Sequence, residues 1–250
     1  DNASSRGLGD VYKRQAHLRS ISNNYSSLYF YYLCNIQLMI SEEDKIMMET
    51  LYWWGIPTLF RCKNDPDPKN CDIALVGVPH STGNGTTERD QHLGPRAVRN
   101  ISAMLRRSHF DYKIDPWKEN KIHDLGDVPF PEANDNEKCI ERISAFYDHI
   151  EQAEKPVVSI GGDHSVTGGI VQSLAKKNSK LTKGKKITFL HFDAHTDCFE
   201  KLDHFLGAKK SAAHWASYLV KQGNVDPHTS TQIGIRGNPR TLDWLQASYD

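Results

Sequence analysis

Pro156-Val157-Val158-Ser159-Ile160 runs into Gly161-Gly162-Asp163-His164-Ser165, and Ile187-Thr188-Phe189-Leu190-His191-Phe192 runs into Asp193-Ala194-His195-Thr196-Asp197. Each begins as a continuous apolar run, the pattern of a strand buried on both faces of a parallel sheet. Each ends in acids and imidazoles. Between them, Thr167 to Lys176 reads as a helix. Strand, helix, strand makes a parallel crossover unit.

The same alternation extends outward. Ile73-Ala74-Leu75-Val76-Gly77-Val78 is another buried strand, ending in a polar, Gly-rich loop from His80 to Leu93. A helix starts at Gly94 with Pro95 in its first turn, a position where the missing N–H costs nothing. Lys121 to Leu125 reads as a short strand. Asn136 to Ala153 carries Ile140, Ile143, Phe146, Tyr147 and Ile150 at helical spacing. Thr231-Gln232-Ile233-Gly234-Ile235 reads as a further strand. The fold class is therefore α/β, with a mostly parallel sheet covered on both faces and no linker dividing it.

Residues 1–38 do not share this pattern. They are rich in Ser, Asn and Tyr, and Gly9-Asp10-Val11-Tyr12-Lys13-Arg14-Gln15 resembles a translated sequencing adapter. They read as a non-native or disordered leader outside the fold. Met39 is a plausible start, and Ser41-Glu42-Glu43-Asp44 has the form of a helix N-terminus. Residues 39–250 make one domain.

The chain has 31 basic and 31 acidic side chains among 250 residues, so it has no net field to draw it to nucleic acid or an acidic membrane. No apolar run approaches the roughly 20 residues of a membrane span. Five cysteines without a C-x-x-C pair point to a reduced, cytoplasmic protein. A small molecule is the expected partner.

The two polar clusters fall at the carboxyl ends of parallel strands, where sites form in open α/β sheets. In an extended chain, residues two apart face one way, so Asp193, His195 and Asp197 could present two carboxylates and an imidazole together. Oxygen and imidazole donors suit Mn, Fe, Ni or Zn. Asp163 alone could be a helix cap; two such motifs on neighbouring strand ends favour a metal site.

Gly-Gly-Asp-His-Ser followed by His-Phe-Asp-Ala-His-Thr-Asp resembles the ureohydrolases, the family of arginase, agmatinase, guanidinobutyrase, guanidinopropionase and guanidine hydrolase. Gly77-Val78-Pro79, Gly94-Pro95-Arg96, His214 and Gln232-Ile233-Gly234-Ile235-Arg236-Gly237 add to the likeness, which covers roughly residues 50 to 250. The resemblance implies a three-layer arginase-like fold and two divalent metal ions, Mn first and Ni second. His164, Asp193 and Asp197 would hold one ion. His195 and a bridging Asp193 would hold the other. It further implies hydrolysis of a guanidino group by metal-bound hydroxide, with Asp197 orienting the hydroxide and His214 shuttling a proton. Cytoplasmic homotrimers or homohexamers are the family's usual form. The family completes its site with a later D-x-D motif, and none follows Asp197 here. The expectation is a C-terminally incomplete domain, inactive as it stands.

Within the resemblance, Cys198-Phe199-Glu200 disfavours arginine as substrate. Trp215, where many agmatinases have a small residue, either faces the site and shortens the pocket toward a small guanidino compound or is a core aromatic on a helix from Ser211 to Lys221. Thr86 and Thr87, in the loop after the first strand, should reach the same rim as substrate-binding residues. That loop has no following Lys and is not a phosphate cradle. Tyr52-Trp53-Trp54-Gly55 reads as a core or oligomer contact. Rival readings are formiminoglutamate hydrolysis, a single-metal deacetylase and a non-catalytic regulatory subunit.

Overall fold

A computed structural model describes residues 41, 51, 53–85, 89–200, 208–239, 241, 243 and 246–249. The leader, Tyr52, Thr86 and Thr87 lie outside the described residues. The chain divides into Asp1–Gly55 and Ile56–Asp250. In the first unit Trp53 and Trp54 are exposed rather than packed in a core. The second unit contains both polar motifs and every strand and helix named below.

Four parallel strands form the main sheet: β1 (Lys63–Asn64), β2 (Ile73–Val78), β3 (Ile122–Asp127) and β4 (Val157–Gly161), in the order β1-β3-β2-β4. β5 (Leu190–Phe192) and β6 (Thr231–Ile233) form a separate parallel pair. The helices are α1 (Gly94–Ser102), α2 (Pro116–Glu119), α3 (Asn136–Gln152), α4 (Val166–Leu174), α5 (Trp215–Gln222) and α6 (Gln246–Tyr249).

The two faces of β2 show why the sheet is layered. Ala74, Val76 and Val78 pack with Ile140, Ile143, Tyr147 and Ile150 of α3. The alternate residues Ile73 and Leu75 join Leu59, Val98 of α1 and Trp117 of α2. Helices thus cover both sides, as a continuous apolar strand requires. Asp135 caps α3, its side chain accepting from the Lys138 N–H at 3.1 Å. Each fully buried Ile of α3 contributes about 1.5–3 kcal/mol by leaving water.

Helix α4 leads from β4 toward α5 and carries Gly168, where a Cβ would stand 1.6 Å from the Tyr218 hydroxyl and 3.2 Å from Trp215 Cβ. Only a missing side chain lets α5 come this close.

The structure departs from the strand expectations near the site. The run Ile187–Phe192 is strand only over Leu190–Phe192, with Ile187 in an isolated parallel bridge to Val225. β6 stops at Ile233, because Gly234 turns the chain with φ 91°. β5 pairs with β6 and shares no ladder with β4, so the sheet is not continuous across the two motifs. Leu190 and Phe192, which alternate with His191, are 60% and 70% exposed. That outer face of β5 is not covered, and the hydrophobic run misstates its burial. Among the described residues no helix is long and apolar enough to cross a membrane.

Candidate metal centre

The end of β4 is stapled to the end of β2. The Gly162 N–H donates to the Val78 carbonyl at 3.0 Å, and the Asp163 N–H donates to the His80 carbonyl at 2.8 Å. A Cβ on Gly162 would lie 1.9 Å from that same His80 oxygen, so the second glycine of the motif is a steric requirement. Asp163 then ties down the loop. Its carboxylate accepts from the Ser165 N–H at 2.9 Å, from the Ser165 hydroxyl, and from the Gly83 N–H at 2.9 Å. These bonds set where His164, between Asp163 and Ser165, stands.

His164 faces two carboxylates from the end of β5. Its Nδ1 lies 2.7 Å from Asp197 Oδ2 and 3.2 Å from Asp193 Oδ2. With His191 they form a group whose candidate ligand atoms all lie within 4.8 Å of one another. Asp193 faces two ways: Oδ2 is turned toward His164 and His191, and Oδ1 lies 3.5 Å from His195 Nδ1.

The charges report what the site needs. Burial works against a charged His164, but the Asp197 and Asp193 carboxylates outweigh it and raise its pKa. Burial likewise disfavours the charged form of Asp193, yet the His195 N–H and the two imidazoles hold its pKa down. His191 is shifted downward by burial and by the neighbouring His164. The buried Asp197 and the partly buried Asp193 share one imidazole, and their nitrogen and oxygen donors fit a first-row divalent metal.

An extended strand would carry Asp193, His195 and Asp197 along one side. The backbone does otherwise. β5 ends at Phe192, and Asp197 takes the left-handed φ of 51°. This turn brings the Asp197 side chain inward, while the His195 side chain stays 70% exposed. His195 therefore sits beside Asp193 but outside the four-residue group. His191 takes the fourth place, and the sequence motifs do not single it out. A signal for it is present: Phe189, His191 and Asp193 are two apart, and the period-2 rule puts them on one face.

The role of His191 follows from its neighbour on β6. The Gln232 side-chain nitrogen lies 2.6 Å from the Thr196 carbonyl and 3.0 Å from His191 Nδ1. An amide NH2 donating to both leaves Nδ1 as an acceptor and puts the ring proton on Nε2. Nε2 faces Asp193 Oδ2 at 3.5 Å, longer than an ordinary hydrogen bond. His191 Nε2 is thus left without a hydrogen-bond partner beside Asp193.

Trp215, expected on the substrate wall, is buried, and its indole N–H donates to Asp197 Oδ2 at 2.8 Å. His214 is buried too, at the N-cap of α5, with Nδ1 against the Ser211 hydroxyl at 2.6 Å. A cavity of about 620 Å³ opens nearby, lined in part by Phe189, Thr196, Cys198, His228 and Gln232. None of the four clustered residues lines it.

The profile of the arginase family matches residues 71–249. A guanidinopropionase of Pseudomonas aeruginosa is 33% identical over 191 residues, covering 76% of this chain and 56% of that protein. A human mitochondrial guanidino acid hydrolase is 35% identical over 192 residues, covering 76% and 51%. The chain thus spans about half the length of the curated relatives it matches. Among solved structures, a hypothetical agmatinase from Burkholderia thailandensis superposes with a TM-score of 0.66 at 27% identity, covering 76% of this chain and 57% of that one. Proclavaminate amidino hydrolase from Streptomyces clavuligerus gives 0.67 at 24% identity, over 79% and 63%, and shows the shared fold.

Proposed function

This chain belongs to the arginase family, and from that membership we propose that the protein hydrolyses the C–N bond of a small guanidino compound. Guanidine, agmatine, guanidinobutyrate and guanidinopropionate are the candidates, giving urea and ammonia or an amine. The observation that carries the reading is the convergence of His164, Asp193 and Asp197, from the ends of β4 and β5, with Nδ1 of His164 at 2.7 and 3.2 Å from the two acids. The relatives named for guanidinopropionate and guanidino acids support the substrate class.

His164, Asp193 and Asp197 would hold one divalent ion, and Asp193 with His195 would hold the second, Mn first and Ni next. Metal bound there supplies Lewis acidity that activates water at neutral pH, which a resonance-stabilised guanidinium carbon requires. The chain's own residues do the rest. Asp197 orients the attacking water, its carboxylate fixed between His164 and Trp215. His214 shuttles a proton in this reading, and the Ser211 hydroxyl 2.6 Å from its Nδ1 supports an ordered ring. Thr86 and Thr87 belong to the substrate rim in this reading. A cytoplasmic homotrimer or homohexamer completes it.

The test is urea release by the protein from a panel of guanidino compounds, with Mn2+ and with Ni2+. Turnover of a small guanidino compound, lost on chelation and in Asp193→Asn, is expected. Best turnover of arginine, or of formiminoglutamate, would refute the assignment.

A further inference from the structure

We propose that Trp215 is a positioning residue for Asp197, fixing the carboxylate through which the site takes its metal. The proposal rests on the metal-centre reading and adds a part that the two motifs do not contain.

The geometry is specific. Trp215 is 2% exposed, and its ring packs on His164 (centroids 4.9 Å apart), His191 (5.1 Å) and Phe189 (5.5 Å). Its one polar atom, Nε1, donates to Asp197 Oδ2 at 2.8 Å, the same oxygen that His164 Nδ1 approaches at 2.7 Å. The next residue reaches Asp197 from the other direction: the Ala216 N–H donates to the Asp197 carbonyl at 3.2 Å. The first turn of α5 thus holds both the backbone and the side chain of Asp197.

Asp197 needs such a hold. Its φ of 51° is costly for a residue with a Cβ and persists only where the surroundings over-determine it. A carboxylate on a strained turn is free to rotate about its side-chain bonds unless something fixes it. A buried indole N–H, with no water to satisfy it, needs an acceptor as much as the carboxylate needs a donor. Partners that orient a ligand typically change metal affinity by about 10–100-fold when removed. The same indole touches both imidazoles, tilted 46° to His164 and edge-on at 79° to His191.

The experiment uses Zn2+ as the probe. Affinity is measured by competition with a chromogenic chelator for the wild type and for Trp215→Phe, which keeps an aromatic ring and loses the N–H. In parallel, the indole N–H resonances are followed by 15N NMR, that of Trp215 being the one missing from the variant. The expected results are a folded variant with about 10–100-fold weaker Zn2+ binding, and a Trp215 resonance in the wild type that moves on Zn2+ saturation and in Asp197→Asn. A residue that only fills the core would move neither. Where Trp215→Phe fails to fold, β-(3-benzothienyl)alanine at position 215 replaces N–H by sulfur at the same ring size, and the same affinity loss is expected. Affinity unchanged within about threefold, or a Trp215 resonance that ignores Zn2+, overturns the proposal. A wild type that binds no Zn2+ overturns the metal-centre reading and this inference together, which separates the two failures.

Discussion

Replacing Asp124 by Asn should destabilise the fold by about 3 kcal/mol, at the lower end of the roughly 3–5 kcal/mol for breaking a buried ion pair. Asp124 is 1% exposed at the centre of the sheet. Its Oδ2 accepts from Arg99 Nε at 2.9 Å and from the Leu59 N–H at 2.8 Å. Its Oδ1 accepts from Arg99 Nη2 at 3.0 Å and from the Gly126 N–H at 2.9 Å. Asn keeps the shape but turns one oxygen into an NH2. Whichever oxygen is lost, one guanidinium donor and one backbone donor then face another donor. The Arg99 charge also loses its buried counter-ion. Asp127, which holds Arg99 Nη1 at 2.6 Å but is 42% exposed, keeps part of the compensation and sets the estimate low in the range. Urea unfolding of wild type, Asp124→Asn, Arg99→Met and the double variant measures this, and the double variant should lose much less than the sum of the singles. A loss under about 1 kcal/mol, or strict additivity, would refute the reasoning. The pH dependence checks the same pair. Burial disfavours the Asp124 carboxylate, but Arg99 and the two backbone N–H groups overcome it and hold the pKa below its ordinary value. A depressed carboxylate stabilises the fold above its unfolded pKa of about 3.9 and loses that contribution as pH falls below it. The acid limb of the wild-type stability curve in that range should flatten in Asp124→Asn.

Two further outcomes bear on the site. Gly162→Ala places a Cβ 1.9 Å from the His80 carbonyl oxygen, and the strand ends must separate to admit it; a loss of about 1–3 kcal/mol in chemical unfolding is expected, together with weaker metal binding. Mn2+ at about 100 times its Kd should stabilise the wild type by about 2.7 kcal/mol in a thermal-shift assay. His164→Ala should abolish the shift, and a shift that persists would remove His164 from the ligand set.

The period-2 and period-3.6 patterns of the chain anticipate β2, β4, α3 and α4 to within a residue or two, because each has a strongly apolar face and a clear stop signal. Asn136 to Gln152 is the plainest case, with Ile140, Ile143, Phe146, Tyr147 and Ile150 at helical spacing and turned to the core. Ile187 to Phe192 is the plainest failure. Its apolar run looks like a buried strand, yet only three residues join a strand ladder, and two of those are exposed. An apolar run records which residues prefer burial and not whether another element covers them.

The same division holds at the site. The two motifs by themselves put His164, Asp193 and Asp197 at the carboxyl ends of two strands, where the structure brings them together; that His191 joins them and His195 does not was not legible there. Only the tertiary structure decided how those residues face. A backbone turn at Asp197, and not an extended strand, sends Asp197 inward and His195 outward. Gln232, on a strand 41 residues further along, sets the tautomer of His191. Trp215, 18 residues beyond Asp197, supplies the donor that holds it. These are long-range contacts, and the local periodicities of a sequence carry no information about which distant side chain will arrive at a given oxygen.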